Sequence, residues 1–271
     1  MNGVPHTMSA AIQIQGVSQI FSGQARQIVA LQQIDLQIPP GQFVCLLGPS
    51  GCGKSTLLNA IAGFVQPTSG SITCAGQAVL APGPERGMVF QEYALFPWMT
   101  VQQNVGFGLE IKGMAKADIR QRVSQLLQQL NLQEFAQRFP KDLSGGMRQR
   151  VAIARVLALD SPVMLMDEPF GALDALTRRN LQDELLRLWA ELKKTIVFVT
   201  HSIEEAIYLA DRIIVMTYRP GTIKRDLSID LPRLRDPASN EFNALKRELN
   251  ELVMQEQARH RDAEMKLSAI D

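Results

Sequence analysis

GPSGCGKST, Gly48 to Thr56, is the stretch on which the reading of this chain turns. It puts Gly48, Gly53, Lys54 and Ser55 on the fixed positions of G-x-x-x-x-G-K-[ST]. The run before it, Phe43 to Leu47 (FVCLL), is continuously apolar and of buried-strand length. Thr56 to Ala62 after it has helical composition, so the context is strand, loop, helix. A polyphosphate is anionic, and a helix N-terminus offers it unpaired backbone N–H groups and the positive end of the helix dipole. Glycines let the backbone wrap phosphates without Cβ clashes. In that arrangement Lys54 reaches the β- and γ-phosphates, the Ser55 hydroxyl ligates Mg2+, and Thr56 sits near the α-phosphate. A glycine-rich turn would match these positions by accident in on the order of one chain in a hundred. The strand and helix flanks make that alternative the weaker one.

Composition bounds the rest. A chain of 271 residues, 46% hydrophobic and 20% charged, is an ordinary globular protein with one large core or two modest ones. A formal net charge of +1 supplies no field that would drive it onto nucleic acid or acidic lipid. The longest apolar runs fall far short of the roughly 20 residues that span a bilayer. Met1 to Ala11 lacks the pattern of an export signal and is expected to be a flexible tail. Cys45, Cys52 and Cys74 have no metal-ligand spacing and suit a reducing cytosol. Cys52, at a helix N-terminus, is expected to have a lowered pKa and to react with alkylators unless nucleotide protects it.

Periodicity places the remaining elements. Ile12 and Ile14, then Ile34, Leu36 and Ile38, alternate as half-buried strands of a small antiparallel layer, with a turn over Phe21–Gln27 between them. Pro39, Pro40 and Gly41 stop the second strand. Gln66–Gly70 reads as a turn before a strand at Ser71–Cys74, and Met88–Phe90 as a strand ending at Gln91. Ile119, Val123, Leu126, Leu127 and Leu130 mark an amphipathic helix in a helical insert over about 92–159. Val163–Met166, Ile196–Val199 and Ile213–Met216 resume the buried strands, with Leu181, Leu185, Leu188 and Leu192 at helical spacing among them. Alternating strands and helices imply an α/β fold with a mainly parallel core sheet covered on both faces. Phe242, Leu245, Leu249 and Leu252 predict a C-terminal helix that is lost in the polar stretch 255–262.

Ligands on such sheets collect at the carboxyl ends of strands, and the Gly48 loop, Gln91, Asp167 and His201 each lie just beyond one. Asp167 with Glu168, behind VMLM, is an acid pair in that position. Asp167 can hold Mg2+ through water, and Glu168 can accept a proton from, or orient, the attacking water. An isolated Asp-Glu pair would more often cap a helix; its position after a buried strand and downstream of a phosphate loop decides against that. Leu143–Arg150 (LSGGMRQR) opens a second helix N-terminus with exposed amides, which on chemistry alone reads equally as an ordinary N-cap before a solvated basic face or as a second anion site, economically placed against a nucleotide held by another copy of the chain.

LSGGMRQR is similar to the signature motif of ATP-binding-cassette transporters, and from about Ile12 to Met216 the chain resembles their ATP-binding subunits. Carried over by position, Gly48, Pro49, Ser50, Gly51, Cys52, Gly53, Lys54, Ser55 and Thr56 resemble Walker A, and Asp167 and Glu168 Walker B. Gln91 resembles the Q-loop glutamine, which also reaches the metal, and Gly171–Asp174 (GALD) the D-loop, whose Asp174 is a nucleotide-side residue. His201 resembles the switch histidine, and Phe21 falls near the aromatic that stacks on adenine. Ser144, Gly145 and Gly146 match the signature contacts, whereas Met147 stands where the family usually has glutamine.

The resemblance implies a P-loop NTPase domain over 12–231 with a helical subdomain over about 92–159, a small antiparallel β layer, and a C-terminal helical extension over 232–271. It implies ATP and Mg2+ as ligands, and a head-to-tail dimer in which each ATP lies between Walker A of one copy and the signature of the other. Glu168, His201 and Gln91 would carry catalysis. Separate permease subunits, docking near the aromatic segment Tyr93–Trp98, would hold the protein peripherally on the cytoplasmic face of the inner membrane. A solute-binding protein would act indirectly, and nucleic acid would not be a partner. PGPERGMVFQ, LFPWMTVQQNV, DEPFGALDALTR and THSIEEAIYLADRIIVM look most like the branch that imports nitrate, aliphatic sulfonates and taurine. Import of polyamines, sugars or glycine betaine is the alternative within the fold. A soluble non-transport member, or a stand-alone phosphate-loop kinase, is the alternative from another functional class.

Overall fold

The computed structural model describes residues 9–22 and 27–268, with side chains described through 261. Residues 1–8 of the expected tail and 23–26 of the expected turn lie outside the described residues. Along the chain run β1 (Ile12–Ser22), β2 (Gln27–Ile38), β3 (Phe43–Leu47), α1 (Lys54–Ala62), β4 (Ser69–Cys74), β5 (Gln77–Ala78) and β6 (Arg86–Val89). Three helices follow: α2 (Val101–Ile111), α3 (Lys116–Gln129) and α4 (Gly145–Ala158). Then come β7 (Val163–Asp167), α5 (Ala175–Leu192), β8 (Thr195–Thr200), α6 (Ile203–Leu209), β9 (Arg212–Met216), β10 (Ile223–Ser228) and α7 (Asn240–Ser268). The fold is α/β, with parallel core strands and a separate antiparallel sheet.

The chain divides into two compact units. One is built from Ala10–Pro82 together with the chain from Thr195 onward. Its antiparallel sheet has the order β2-β1-β4-β5, with Ile12 facing Ile38 and Ile14 facing Leu36, so the alternating isoleucines and leucines land on the buried face. Its parallel strands place β3 between β8 and β9. All five residues of β3 and all six of β8 are buried, which explains why both read as unbroken apolar runs. The other unit, Gly83–Lys194, pairs β6 in parallel with β7 and adds the helices α2 to α5.

Several boundaries differ from the sequence reading: β1 runs to Ser22 and β2 starts at Gln27, inside the expected Phe21–Gln27 turn, because Phe21↔Ile28 and Ser22↔Gln27 pair. β4 begins at Ser69, because pairing with β1 extends through Ser18↔Ser69. β6 covers Arg86–Val89, not Met88–Phe90: the ladder to β7 starts at Arg86↔Val163, and the buried Arg86 side chain pairs with Glu85 instead of ending the strand. α7 does not stop before the polar stretch 255–262 but continues to Ser268. Glu256 there has no exposed surface, and Lys224 donates to its carboxylate at 2.7 Å. A charged residue thus continues the buried stripe begun by Phe242, Leu249 and Val253.

Candidate nucleotide site

In the first unit β3 delivers the chain at Leu47 and α1 begins at Lys54, so residues 48–53 form a tight loop with Gly51 and Gly53 at φ +74° and +101°. Lys54 is only 4% exposed. Its Nζ donates to the carbonyls of Gly48 and Pro49, each at 2.9 Å, so the ammonium hangs over the start of its own loop. Ser50, Gly51 and Ser55 are exposed and Thr56 is half-buried. Cys52 departs from expectation. It has no exposed surface, and burial pushes its thiol up despite the opposing pull of Lys54, whose Nζ lies 3.8 Å from Sγ. The backbone N–H groups of Lys54 and Cys52 at the helix start also pull the thiol down, but burial outweighs them, so it is not activated.

β8 ends at Thr200, in parallel register with Leu47, so His201 and Gly48 leave neighbouring strands at the same end. The His201 imidazole is exposed, which sets aside a core role. Its backbone is pinned on both sides: the Ser202 N–H donates to Thr200 Oγ1 at 3.0 Å, Thr200 Oγ1 donates to the buried Glu205 at 2.5 Å, and Ser202 caps α6. Phe21 stands 43% exposed near the end of β1, opposite Ile28 of β2.

In the second unit Val89 of β6 pairs with Met166 of β7, so Gln91 and the pair Asp167 and Glu168 also follow neighbouring strand ends. Gln91 is exposed and the two acids are half-buried. Glu168 is held at φ +42°, a left-handed conformation that costs a non-glycine residue on the order of 1–2 kcal/mol. Such strain recurs at functional sites.

The LSGGMRQR stretch opens α4, as expected. Ser144 is its N-cap, with the Met147 N–H donating to Oγ at 3.3 Å. Arg148 donates to the carbonyls of Pro140 and Leu143 and so fixes the approach to the cap. Gly146 is required by packing: a Cβ there would lie 2.6 Å from Cγ2 of Thr177 in the first turn of α5. Asp174 is the N-cap of α5. The Thr177 N–H donates to its carboxylate at 3.0 Å and holds it below its usual range. Arg178 donates to the carbonyls of Phe170 and Leu173, bracing the segment that carries Gly171 to Asp174. The N-termini of α4 and α5 therefore lie side by side.

The aromatic segment after Gln91 is anchored on the same unit. Arg155 of α4 donates to the carbonyls of Tyr93 and Ala94, at 3.1 and 2.6 Å. The buried Asn104 accepts from the Phe96 N–H at 2.8 Å and donates to the Met99 carbonyl at 3.0 Å. Phe96 packs on Phe107, whereas Trp98 stays 70% exposed. Sequence reading missed Arg148, Arg155, Asn104, Arg178 and Glu205. The four others bond to backbone and Glu205 to the hydroxyl of Thr200 at the end of β8, roles that leave no periodic signal.

A lysine-bearing glycine loop between a buried parallel strand and a helix, in an α/β chain with an acid pair at another strand end, defines the P-loop nucleotide-binding class. The chain belongs to the ABC transporter family, whose sequence profile matches residues 31–171. It is 48% identical to the nitrate import ATP-binding protein NrtD of Synechocystis sp., covering 88% of this chain and 89% of that one. It is 44% identical to the aliphatic sulfonates import ATP-binding protein SsuB of Bacillus cereus, covering 88% and 94%. It is 52% identical to the taurine import ATP-binding protein TauB of Roseobacter denitrificans, covering 73% and 74%. Among solved structures, the ATP-binding cassette MJ0796 in a dimeric post-hydrolysis state bound to ADP and Pi matches with TM-score 0.72 at 34% identity, covering 82% of this chain and all of that one.

Proposed function

We propose that this chain is the ATP-hydrolysing subunit of a membrane importer for a small anion such as taurine, an aliphatic sulfonate or nitrate. The observation that carries the reading is that the two anion-binding helix starts, Lys54 of α1 and Ser144 of α4, belong to different compact units and leave Ser50, Gly51, Ser55 and Ser144 exposed. Exposed donors of this kind are completed by a second copy, with the signature of one chain closing over the phosphate loop of the other. Water exclusion on closure strengthens every charge interaction around the γ-phosphate.

In this reading the backbone of 48–53 and Lys54 bind the phosphates, with Phe21 against the base. Glu168 takes the proton of the attacking water, and Gln91 and His201 orient the water and the γ-phosphate. Ser144, Gly145, Gly146 and the partner's D-loop Asp174 complete the grip. Mg2+ fits this donor set only together with the nucleotide. Among the described residues no group of three or more acidic, histidine or cysteine side chains forms a metal cage. Ser55, Gln91 and Asp167 would complete a shell otherwise made of phosphate oxygens and water. Closure and reopening supply the stroke.

No helix among the described residues is long and apolar enough to cross a membrane, so the reading gives the spanning work to permease subunits that dock near Trp98. The protein would sit peripherally on the cytoplasmic face, and a solute-binding protein would reach it only through the permease. The named relatives support a small-anion solute. The test is uptake of taurine, an alkanesulfonate and nitrate by cells expressing the chain with its permease. Uptake of one of them, lost with Lys54→Ala, is expected; uptake of a polyamine, sugar or glycine betaine instead would overturn the choice of solute.

A further inference from the structure

The turn between β9 and β10 packs directly on the phosphate loop, inside one compact unit. Arg219 Nε donates to the Gly51 carbonyl at 3.1 Å. The Gly221 N–H donates to the Ala30 carbonyl at 3.0 Å, and a Cβ at Gly221 would collide with the Cys52 carbonyl, so only glycine allows this approach. The other side of the turn is gripped by α7. Glu256, with no exposed surface, accepts from the Tyr218 N–H at 2.9 Å and from Lys224 at 2.7 Å. The His260 ring stacks on Tyr218 with centroids 4.1 Å apart and planes 8° from parallel. Tyr218 and Arg219 are consecutive, so a continuous set of contacts runs from α7 to a carbonyl of the loop that holds the nucleotide.

We propose that Arg219 is a positioning residue for the phosphate loop, and that α7 sets its hold through Glu256 and His260. The physical reason lies in one peptide unit. The Gly51 carbonyl and the Cys52 N–H belong to the same plane; that N–H makes a long bond to the Pro49 carbonyl, at 3.4 Å, across the loop it would share with a phosphate, and a loop binds phosphate only when its N–H groups turn inward. A charged donor on the carbonyl side fixes that plane before nucleotide arrives and adds positive potential beside the polyanion. α7 then acts as a latch. If the Tyr218 backbone slackens, Arg219 loses its aim and the loop samples orientations that do not bind. The inference rests on the phosphate-loop reading of Gly48 to Thr56 and adds two residues of α7 to the groups that govern nucleotide affinity.

The experiment is calorimetric titration of the full-length protein with Mg-ADP, alongside steady-state ATPase kinetics. Arg219→Ala should weaken ADP binding about tenfold, as expected for one hydrogen bond from a charged donor. KM for ATP should rise in parallel, with a much smaller fall in kcat. Arg219→Lys, which keeps a cationic donor, should recover part of the loss. Glu256→Gln should weaken binding about threefold in the wild-type background and by less than about twofold in the Arg219→Ala background, because the two act in series. If Glu256→Gln does not fold, His260→Ala takes its place in the same cycle. Unchanged ADP affinity in folded Arg219→Ala, or losses that simply multiply in the double variant, would overturn the proposal. Lys54→Ala separates the two levels: if it leaves ADP binding intact the phosphate-loop reading fails, whereas if only Arg219→Ala is silent the latch alone fails.

Discussion

A methyl group on Gly146 would stand 2.6 Å from Cγ2 of Thr177, which ties the signature end of α4 to the first turn of α5. Two terms oppose each other in Gly146→Ala. Alanine favours a helix by up to about 1 kcal/mol, and the forced contact costs about 1–3 kcal/mol. The contact wins, so the variant should be less stable and turn over ATP more slowly. Thr177→Ser removes Cγ2 while leaving the Thr177 backbone N–H on Asp174, so the double variant should regain both stability and activity. ATPase rates and urea midpoints of the four proteins test this, and failure of Thr177→Ser to rescue would contradict it.

Lys54 is buried with its ammonium on the carbonyls of Gly48 and Pro49. Replacing it by alanine leaves those carbonyls without that donor and removes the charge proposed to meet the phosphates. Nucleotide affinity should fall by at least about tenfold, in keeping with a charge-assisted contact. Titration with a fluorescent ATP analogue checks it, and affinity equal to the wild type would contradict it.

Cys52 should resist modification. With the thiol buried and its pKa raised, N-ethylmaleimide should label the native protein far more slowly than the protein unfolded in urea, with or without ATP. Rapid native labelling of Cys52, found by peptide mass analysis, would show that the loop opens more than its packing implies.

Asp174 gives a pH signature. Its carboxyl is held below the usual range in the folded chain by the Thr177 N–H, so the folded state binds that proton less readily than the unfolded state. The cap's contribution is complete above the ordinary carboxylate range and disappears as pH falls through the depressed value. Asp174→Ala should therefore be less stable than the wild type at neutral pH, with a gap that closes in acid. A gap independent of pH would rule the capping carboxylate out as its cause.

Much of this was legible because apolar pattern and chemistry coincided. FVCLL before GPSGCGKST could only be a buried strand feeding a loop, and the alternation at Ile12, Ile14, Ile34, Leu36 and Ile38 announced the antiparallel layer. What was missed depends on where polar side chains point. Nothing in a run of charged residues says that Glu256 is buried on Lys224 and carries α7 onward, that Arg155 holds the Ala94 carbonyl, or that Cys52 is buried within its loop. Polar groups that satisfy backbone atoms far along the chain have no period, so they appear only when the fold brings the partners together.

In the proposed dimer two copies of the chain grip each triphosphate, Lys54 and its loop from one side and Ser144 with its glycines from the other. Glu168→Gln should keep ATP binding while stopping turnover, and so hold the gripped state. The direct measurement is sedimentation velocity of Glu168→Gln with and without Mg-ATP. A nucleotide-dependent shift to a dimer carrying two ATP per pair of chains, lost in the Lys54→Ala background, is expected. A protein that binds Mg-ATP to saturation and still sediments as a monomer, even beside its permease, would contradict it.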